Sequence, residues 1–481
     1  MSEPSLKKNF ILSTVYHILL VIMPFITAPY VSRVLTADGI GIYSFTYSVQ
    51  MYFSMFAALG TVSYGSREIA RNRHVKEERS LLFWEIELLT VITTSLCIAL
   101  WCAFIAITNM YRVYYLILTL NLVATMFDIS WFYTGMEEFK YTVVPNGIFK
   151  IIGVVSIFIF VKTKEDINAY ILIMALVALL GNITMWCYLP RFIGRVRWRS
   201  LKVKRHCRET LIYFIPTIAT SVYTVLDKTL IGLITTDTSE NGYYEQATKI
   251  TNMAKSLTFA SLNTLLGSRI SLLFAENKIE EIKGRINFSI DYILFTGVGI
   301  WLGIVGVAPR FVPLFFGGGY EPVISLLYYL SPIVLIIGVS NCLGAQYYNP
   351  AGLRALSAKF IIVGSIINLI LNLILIPRFK SYGAIIASIV AEMIITFQYM
   401  YFCNGFLHYK TIILQGWKKL VSGIAMLCIV RWVDELISIN VVAVWVEIAV
   451  GVITYCATLL LLKDSFVVKV GKAVMSRFKK I

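Results

Sequence analysis

"GIYSFTYSVQMYFSMFAALGTVSYGSREIA", Gly41–Ala70, is an apolar run long enough to cross a bilayer, and it closes on a basic motif. It has an echo. About 200 residues later "GYYEQATKITNMAKSLTFASLNTLLGSRIS", Gly242–Ser271, sets Gly242-x-Tyr244 against Gly41-x-Tyr43 and Gly267-Ser268-Arg269 against Gly65-Ser66-Arg67. Two motifs in one order at a near-constant offset read as a parallel internal repeat, the device by which membrane transporters build two rocking halves. "YGAIIASIVAE", Tyr382–Glu392, answers "AYILIMALVALL", Ala169–Leu180, more weakly.

Working outward from the repeat, the same apolar character fills the chain. Of 481 residues, 58% are hydrophobic and 15% charged. Runs of the roughly 20 apolar residues that a bilayer core demands number about fourteen. They lie near 10–31, 40–60, 81–107, 113–133, 142–161, 168–190, 209–234, 243–270, 287–308, 323–348, 358–377, 383–404, 417–437 and 441–462. A membrane offers the backbone no water, and the alternating ten-residue strands of a barrel are not seen, so these runs are expected to be helices. The expected fold is an all-α polytopic membrane protein. Residues 1–190 form an N-lobe (helices 1–6), 191–208 a basic cytoplasmic linker, 209–404 a C-lobe (helices 7–12), and 405–481 two further helices with a basic tail.

The net charge of +16 would suggest nucleic acid if it formed one patch, but it comes in short clusters between apolar runs. With Lys7 and Lys8 cytoplasmic, "SREIARNRHVKEERS", "RFIGRVRWRSLKVKRHCRE" and the tail "VKVGKAVMSRFKK" all fall inside, as the positive-inside rule asks. Both termini are then cytoplasmic, and no nucleic-acid partner is implied. The basic rim also favours anionic lipid headgroups. The first segment is not a cleavable signal, since no small-x-small site follows it.

The eight cysteines are scattered without a CxxC pair, and His17, His74, His206 and His408 are isolated, which suggests neither a disulfide framework nor a metal site. "FFGGGYEP", Phe315–Pro322, lacks the Lys-Ser/Thr of a phosphate loop and reads as a turn. No segment is large enough for a nucleotide-binding or catalytic domain. The chain reads as a non-enzyme with no cofactor, driven by a gradient or by the substrate's own concentration difference, with proton or sodium coupling left open.

"PYVSRVLTADGIGIYSF" (Pro29–Phe45), "LDKTLIG" (Leu226–Gly232), "GYYEQATKI" and "YGAIIASIVAE" resemble the polysaccharide repeat-unit flippases, the Wzx-like oligosaccharide flippases of the multidrug/oligosaccharidyl-lipid/polysaccharide exporter superfamily. The resemblance spans both lobes. It departs at Ser268, where relatives often carry proline. It implies transfer of undecaprenyl-diphosphate-linked oligosaccharides from the cytoplasmic to the outer leaflet by alternating access. The same superfamily supplies the alternatives: a cation-coupled drug antiporter or a peptidoglycan lipid-precursor flippase. A polysaccharide polymerase and other assembly proteins are the implied protein partners.

Charge within the apolar runs locates the candidate site. A charged side chain at bilayer depth costs roughly 3 kcal/mol or more, so it normally faces a protein interior or a wet cavity. Lys255 lies about 18 Å along its helix, too deep for easy snorkelling. Lys249, Asn252, Lys255, Ser256 and Asn263 follow three- and four-residue steps, a polar stripe expected to face the cleft between lobes. Lys249 also pairs at i, i+4 with Glu245, so local neutralisation and substrate contact both stand. In the N-lobe Lys150, with Asn146 one turn earlier, is the counterpart of Lys255. Arg33 ends helix one at the outer face; snorkelling or, by the family motif, a headgroup contact explains it. Glu392, near mid-depth of helix twelve, and Asp227 are the coupling-ion candidates, whereas Asp128 and Asp291 lie nearer the inner face, where basic neighbours are the expected partners. Tyr43, Tyr47, Tyr52, Trp131 and Tyr133 suit either sugar stacking or an interfacial belt. A diphosphate asks for lysine or arginine donors, a cationic drug for carboxylates and aromatics. The deep lysines favour the anionic lipid-linked substrate. Pro24, Pro29 and Pro332 are candidate kinks.

Overall fold

Backbone that cannot bond to water must close its hydrogen bonds within each segment, and every regular element among the described residues is a helix. The computed structural model describes residues 6–437 and 441–478, apart from some side chains within 6–21, 215–224, 257–271 and 472–478. The helices are α1 (Leu6–Ala58), α2 (Thr61–Asn72), α3 (Lys76–Ile107), α4 (Arg112–Met126), α5 (Ser130–Gly135), α6 (Lys140–Phe160), α7 (Ile167–Trp186) and α8 (Lys204–Ile234). Then follow α9 (Thr238–Ala275), α10 (Ile279–Phe316), α11 (Glu321–Leu330), α12 (Ile333–Leu343), α13 (Arg354–Tyr401), α14 (Tyr409–Leu436), α15 (Val441–Leu461) and α16 (Ser465–Phe478).

Ten helical segments among the described residues are long and apolar enough to cross a membrane. Two of them are far longer than one crossing requires, and each holds a break. In α1 the backbone leaves the helix at Thr36 (φ 59°, ψ 178°), and in α13 at Lys380 (φ 50°, ψ −129°). These breaks fall between the runs expected at 10–31 and 40–60, and between those at 358–377 and 383–404. Each is a sharp turn on a single left-handed residue, where the apolar pattern alone suggested a short loop. Pro24 and Pro29 lie inside α1, and Pro332 sits in the turn between α11 and α12. The Gly317 to Gly319 segment is a turn with both end glycines at positive φ.

The chain divides into two compact units, Met1–Gly242 and Tyr243–Ile481. In the first, α1 packs against α3, α4, α6 and α8, while α4 and α6 both lie on α7. An aromatic core of Tyr64, Phe83, Trp131, Phe132, Tyr133 and Phe192 holds α2, α3 and α5 together. Trp131 and Tyr133 are therefore packing residues, the Tyr133 hydroxyl donating to the Met185 carbonyl at 2.7 Å. Gly65 lies under the Trp131 ring, where a Cβ would come within 2.5 Å of Cε3.

The basic segment 191–208 is docked rather than loose. Arg79 Nε donates to the Phe192 carbonyl at 2.9 Å, the Gly194 amide to Ser80 Oγ at 2.8 Å, and the Lys202 amide to Glu85 at 2.6 Å. Glu85, fully buried on α3, also accepts from His206 Nε2 at 2.8 Å and from Arg205, and His206 Nδ1 shares a 2.7 Å hydrogen bond with the Tyr64 hydroxyl. His206 is thus a core histidine that ties the start of α8 to α2 and α3.

In the second unit α10 is the spine, touching α11, α12, α14 and α15. Two buried ion-pair triads fasten the C-terminal helices to it. Lys419 of α14 meets Asp291 at 2.6 Å and Asp464, ahead of α16, at 3.1 Å. Toward the other end of α10, Arg310 meets Asp434 at 2.6 Å and Glu447 of α15 at 2.8 Å.

Candidate functional site

The candidate residues fall in both units, and each set is described within its own. In the first, Lys150 sits about 15 Å along α6, held there because an apolar helix whose interior polar residues are Asn146, Ser156 and this lysine packs on α1 and α7. Its Nζ stands 5.7 Å from the centroid of the Tyr16 ring of α1, and no ion pair reaches it among the described residues. A half-buried ammonium over an aromatic face keeps its charge available to an anion. Asn146 is turned to α7: a Cβ on Gly181 would meet its Oδ1 at 2.4 Å. It belongs to helix packing as much as to any cavity.

Arg33 is exposed on α1, one turn before the break at Thr36. Asp227 is buried on α8, in a seam where α8 meets α1: Ser48 and Thr229 share a 2.8 Å hydrogen bond, and the Tyr52 hydroxyl lies 3.4 Å from Thr229. Tyr43 and Tyr47 stack on each other at 5.5 Å, with Tyr47 reaching the surface. Asp128 departs from expectation. Its Oδ1 accepts from the Ser130 amide at 2.9 Å in the turn ahead of α5, and no basic neighbour pairs with it among the described residues. A short carboxylate readily closes such a turn on the backbone amide two residues on.

In the second unit Lys249, Asn252, Lys255 and Ser256 lie on α9 as the stripe spacing requires. Lys255 Nζ is 3.4 Å from Asn252 Oδ1, and Ser256 Oγ donates to the Asn252 carbonyl at 2.9 Å. Lys249 pairs with Glu245 at 3.6 Å, so the local neutralisation anticipated for it is present. The side chain of Asn263, the last member of the stripe, lies outside the described residues. Glu392 is buried on the second half of α13, near a ladder of amides and hydroxyls in which Asn372 Nδ2 donates to Asn368 Oδ1 at 3.0 Å and Asn368 Nδ2 to Ser388 Oγ at 3.3 Å. Asp291 has the basic partner expected of it, Lys419.

Sequence reading passed over six buried charged residues in these surroundings: Glu85, Glu87, Arg79, Arg310, Lys419 and Asp464. The signal was available for the first two, as "WEIELL" sets Glu85 and Glu87 inside an apolar run. Among the described residues no group of three or more histidine, cysteine or carboxylate side chains is arranged to hold a metal ion.

A helix bundle that places single cations in apolar helices is common to several transporter types, so comparison with known proteins decides the family. The model of the polysaccharide biosynthesis protein family matches residues 6–266, more than half the chain. The chain belongs to that family. It is 24% identical over 397 residues to the "Putative O-antigen transporter" of Escherichia coli (strain K12), covering 82% of this chain and 95% of that one. It is 25% identical over 243 residues to the "Probable low-salt glycan biosynthesis flippase Agl15" of Haloferax volcanii, half of each chain. Among solved structures it resembles "Lipid II flippase MurJ, inward closed conformation", with a TM-score of 0.73 at 15% identity over 95% of this chain and 99% of that one. The family member described here is accordingly a multi-pass membrane protein with the fold shared by that flippase.

Proposed function

We propose that this protein is a flippase that moves undecaprenyl-diphosphate-linked oligosaccharide repeat units from the cytoplasmic to the outer leaflet of a bacterial plasma membrane by alternating access. The observation that carries the reading is Lys150: a lysine deep in an apolar helix with no carboxylate partner among the described residues. A diphosphate supplies the anion such a site lacks, in surroundings where the attraction is stronger than in water. Family membership and the names of the relatives support the same substrate class.

Lys150 in the N-lobe and Lys255 in the C-lobe are assigned to the diphosphate, with Asn252, Lys249, Asn146 and Arg33 as further contacts along its path. The polyprenyl tail stays in lipid, and Asp227 or Glu392 carries the coupling ion. The N-lobe is 1–190 and the C-lobe 209–404, with both termini cytoplasmic; no covalent chemistry is involved, and polymerase and assembly proteins receive the product. The test is transfer of a fluorescent undecaprenyl-diphosphate oligosaccharide across reconstituted liposomes. Wild type is expected to transfer it, and Lys150→Ala and Lys255→Ala to lower the rate at least about tenfold, the cost of one charge-assisted hydrogen bond. Inactive wild type would overturn the substrate class; fully active variants would overturn the site.

A further inference from the structure

The docking of the basic segment onto α3 leaves a groove of about 520 Å³ beside it, between the first turns of α3 and residues 194–200. Its walls are set by bonds that do not use the charged side chains. The Gly194 amide donates to Ser80 Oγ at 2.8 Å, and the Arg197 carbonyl accepts from the Ser200 amide at 2.9 Å and the Ser200 hydroxyl at 2.6 Å. Lys76, Arg195 and Arg197 line the groove, and so do Glu77 and Glu78. All five are exposed, and none of their side chains makes a hydrogen bond or an ion pair among the described residues. Three cations and two acids thus share one groove without pairing with each other.

A membrane-spanning helix places this groove at a definite depth. Trp198, on the same segment, is 65% exposed, and its ring lies 5.3 Å from that of Trp84, about 12 Å along α3 from Lys76. Indole rings concentrate where the headgroups of a bilayer meet its hydrocarbon. The groove is therefore within reach of lipid headgroups, and Leu81 and Val196 give it an apolar side. Guanidinium and ammonium groups take a phosphate by charge-assisted hydrogen bonds, and carboxylates take a primary ammonium in the same way. A headgroup that carries both answers the whole set of charges. An anionic headgroup without an ammonium would leave two glutamates facing it.

We infer that this groove binds an aminophospholipid, a lipid whose headgroup joins a phosphate to a primary ammonium. Arg195, Arg197 and Lys76 hold the phosphate, and Glu77 and Glu78 hold the ammonium. A lipid bound there fastens segment 194–200 to the head of α3. The site is separate from Lys150 and the other residues assigned to the lipid-linked substrate, and it stands whether or not that reading does, because it is tested without substrate.

The experiment offers the purified full chain phosphatidylethanolamine, phosphatidylglycerol and phosphatidylcholine with matched acyl chains, and native mass spectrometry reads which lipid is retained. Wild type is expected to retain phosphatidylethanolamine about tenfold better than either competitor, the effect of one charge-assisted contact. The double variant Arg195→Gln with Arg197→Gln should lower that retention about tenfold. Glu77→Gln with Glu78→Gln should remove the preference over phosphatidylglycerol. Unfolding midpoints of the variants check that these exposed positions leave the fold intact, and the wild-type comparison needs no variant. Equal retention of the three lipids by wild type, a preference for phosphatidylglycerol, or an unchanged preference in either double variant overturns the inference. Binding of soluble phosphoethanolamine with no lipid retained assigns the groove to a soluble ligand and overturns it as well.

Discussion

Lys419 shows why a buried charge on its own does not mark a binding site. It is fully buried and would count as a deep lysine like Lys150, yet it lies between Asp291 and Asp464 and donates a further bond to the Gln415 carbonyl at 2.8 Å. Replacing it strands two carboxylates. Lys419→Met is expected to destabilise the protein by about 3–5 kcal/mol, the usual cost of breaking a buried pair from one side, and adding Asp291→Asn and Asp464→Asn should recover much of the loss. Thermal unfolding of the purified variants in detergent checks both; a single variant as stable as wild type would show that the triad contributes nothing. In the sequence Lys150 stands alone in its apolar run and Lys419 follows Lys418 at the head of another, and neither shows a partner. Only the partners brought in from α10 and from the start of α16 distinguish them.

Glycine motifs carry the argument at the level of elements. Gly41 and Gly242, aligned by the repeat, face one another where α1 crosses the start of α9: a Cβ on Gly41 would lie 1.8 Å from the Thr238 carbonyl oxygen, and one on Gly242 2.0 Å from that of Ala37. The contact is reciprocal, each glycine meeting the residue four positions before the other, and Thr238 Oγ1 donates to Asp38 at 2.7 Å beside it. Because the obstacle is backbone, a side chain cannot be accommodated by a rotamer change. Gly41→Val and Gly242→Val are expected to cost at or above the 1–3 kcal/mol usual for overpacking, read as lost folded yield and a lower unfolding midpoint. Gly147→Ala, on α6 with nothing within 4 Å, should be neutral or slightly stabilising. The repeat pointed to these glycines as a pair; that they touch was not legible, since an offset in sequence carries no direction in space. The aromatics of α5 were less legible still. Trp131 and Tyr133 resemble interfacial or sugar-stacking residues by type, and only the packing of α2, α3 and α5 assigns them to a core.

For the whole molecule, the C-terminal helices are the test of how the second unit is held together. Arg310 donates hydrogen bonds to the Asp434 and Ile437 carbonyls as well as making its two ion pairs, and Lys419 closes the other triad, so α14 and α15 neutralise charges that α10 alone would leave buried. Deleting residues 405–481 is expected to abolish a monodisperse folded product in size-exclusion chromatography, whereas a folded truncation would show these helices to be an independent addition. This could not be read from the amino-acid string, in which 405–481 looks appended to a repeat that is complete without it.

What the sequence determined by itself is the membrane-spanning, all-helical character, the approximate place of each apolar run, the repeat and the family. Each of these depends on hydrophobicity and order along the chain, and a bilayer allows such segments one local conformation. The tertiary structure decided which buried charges are neutralised and which are not. Helix packing joins Lys419 to Asp291 and Glu85 to His206 across distances the sequence does not encode, and the electrostatic fate of a buried group depends on its neighbours in space.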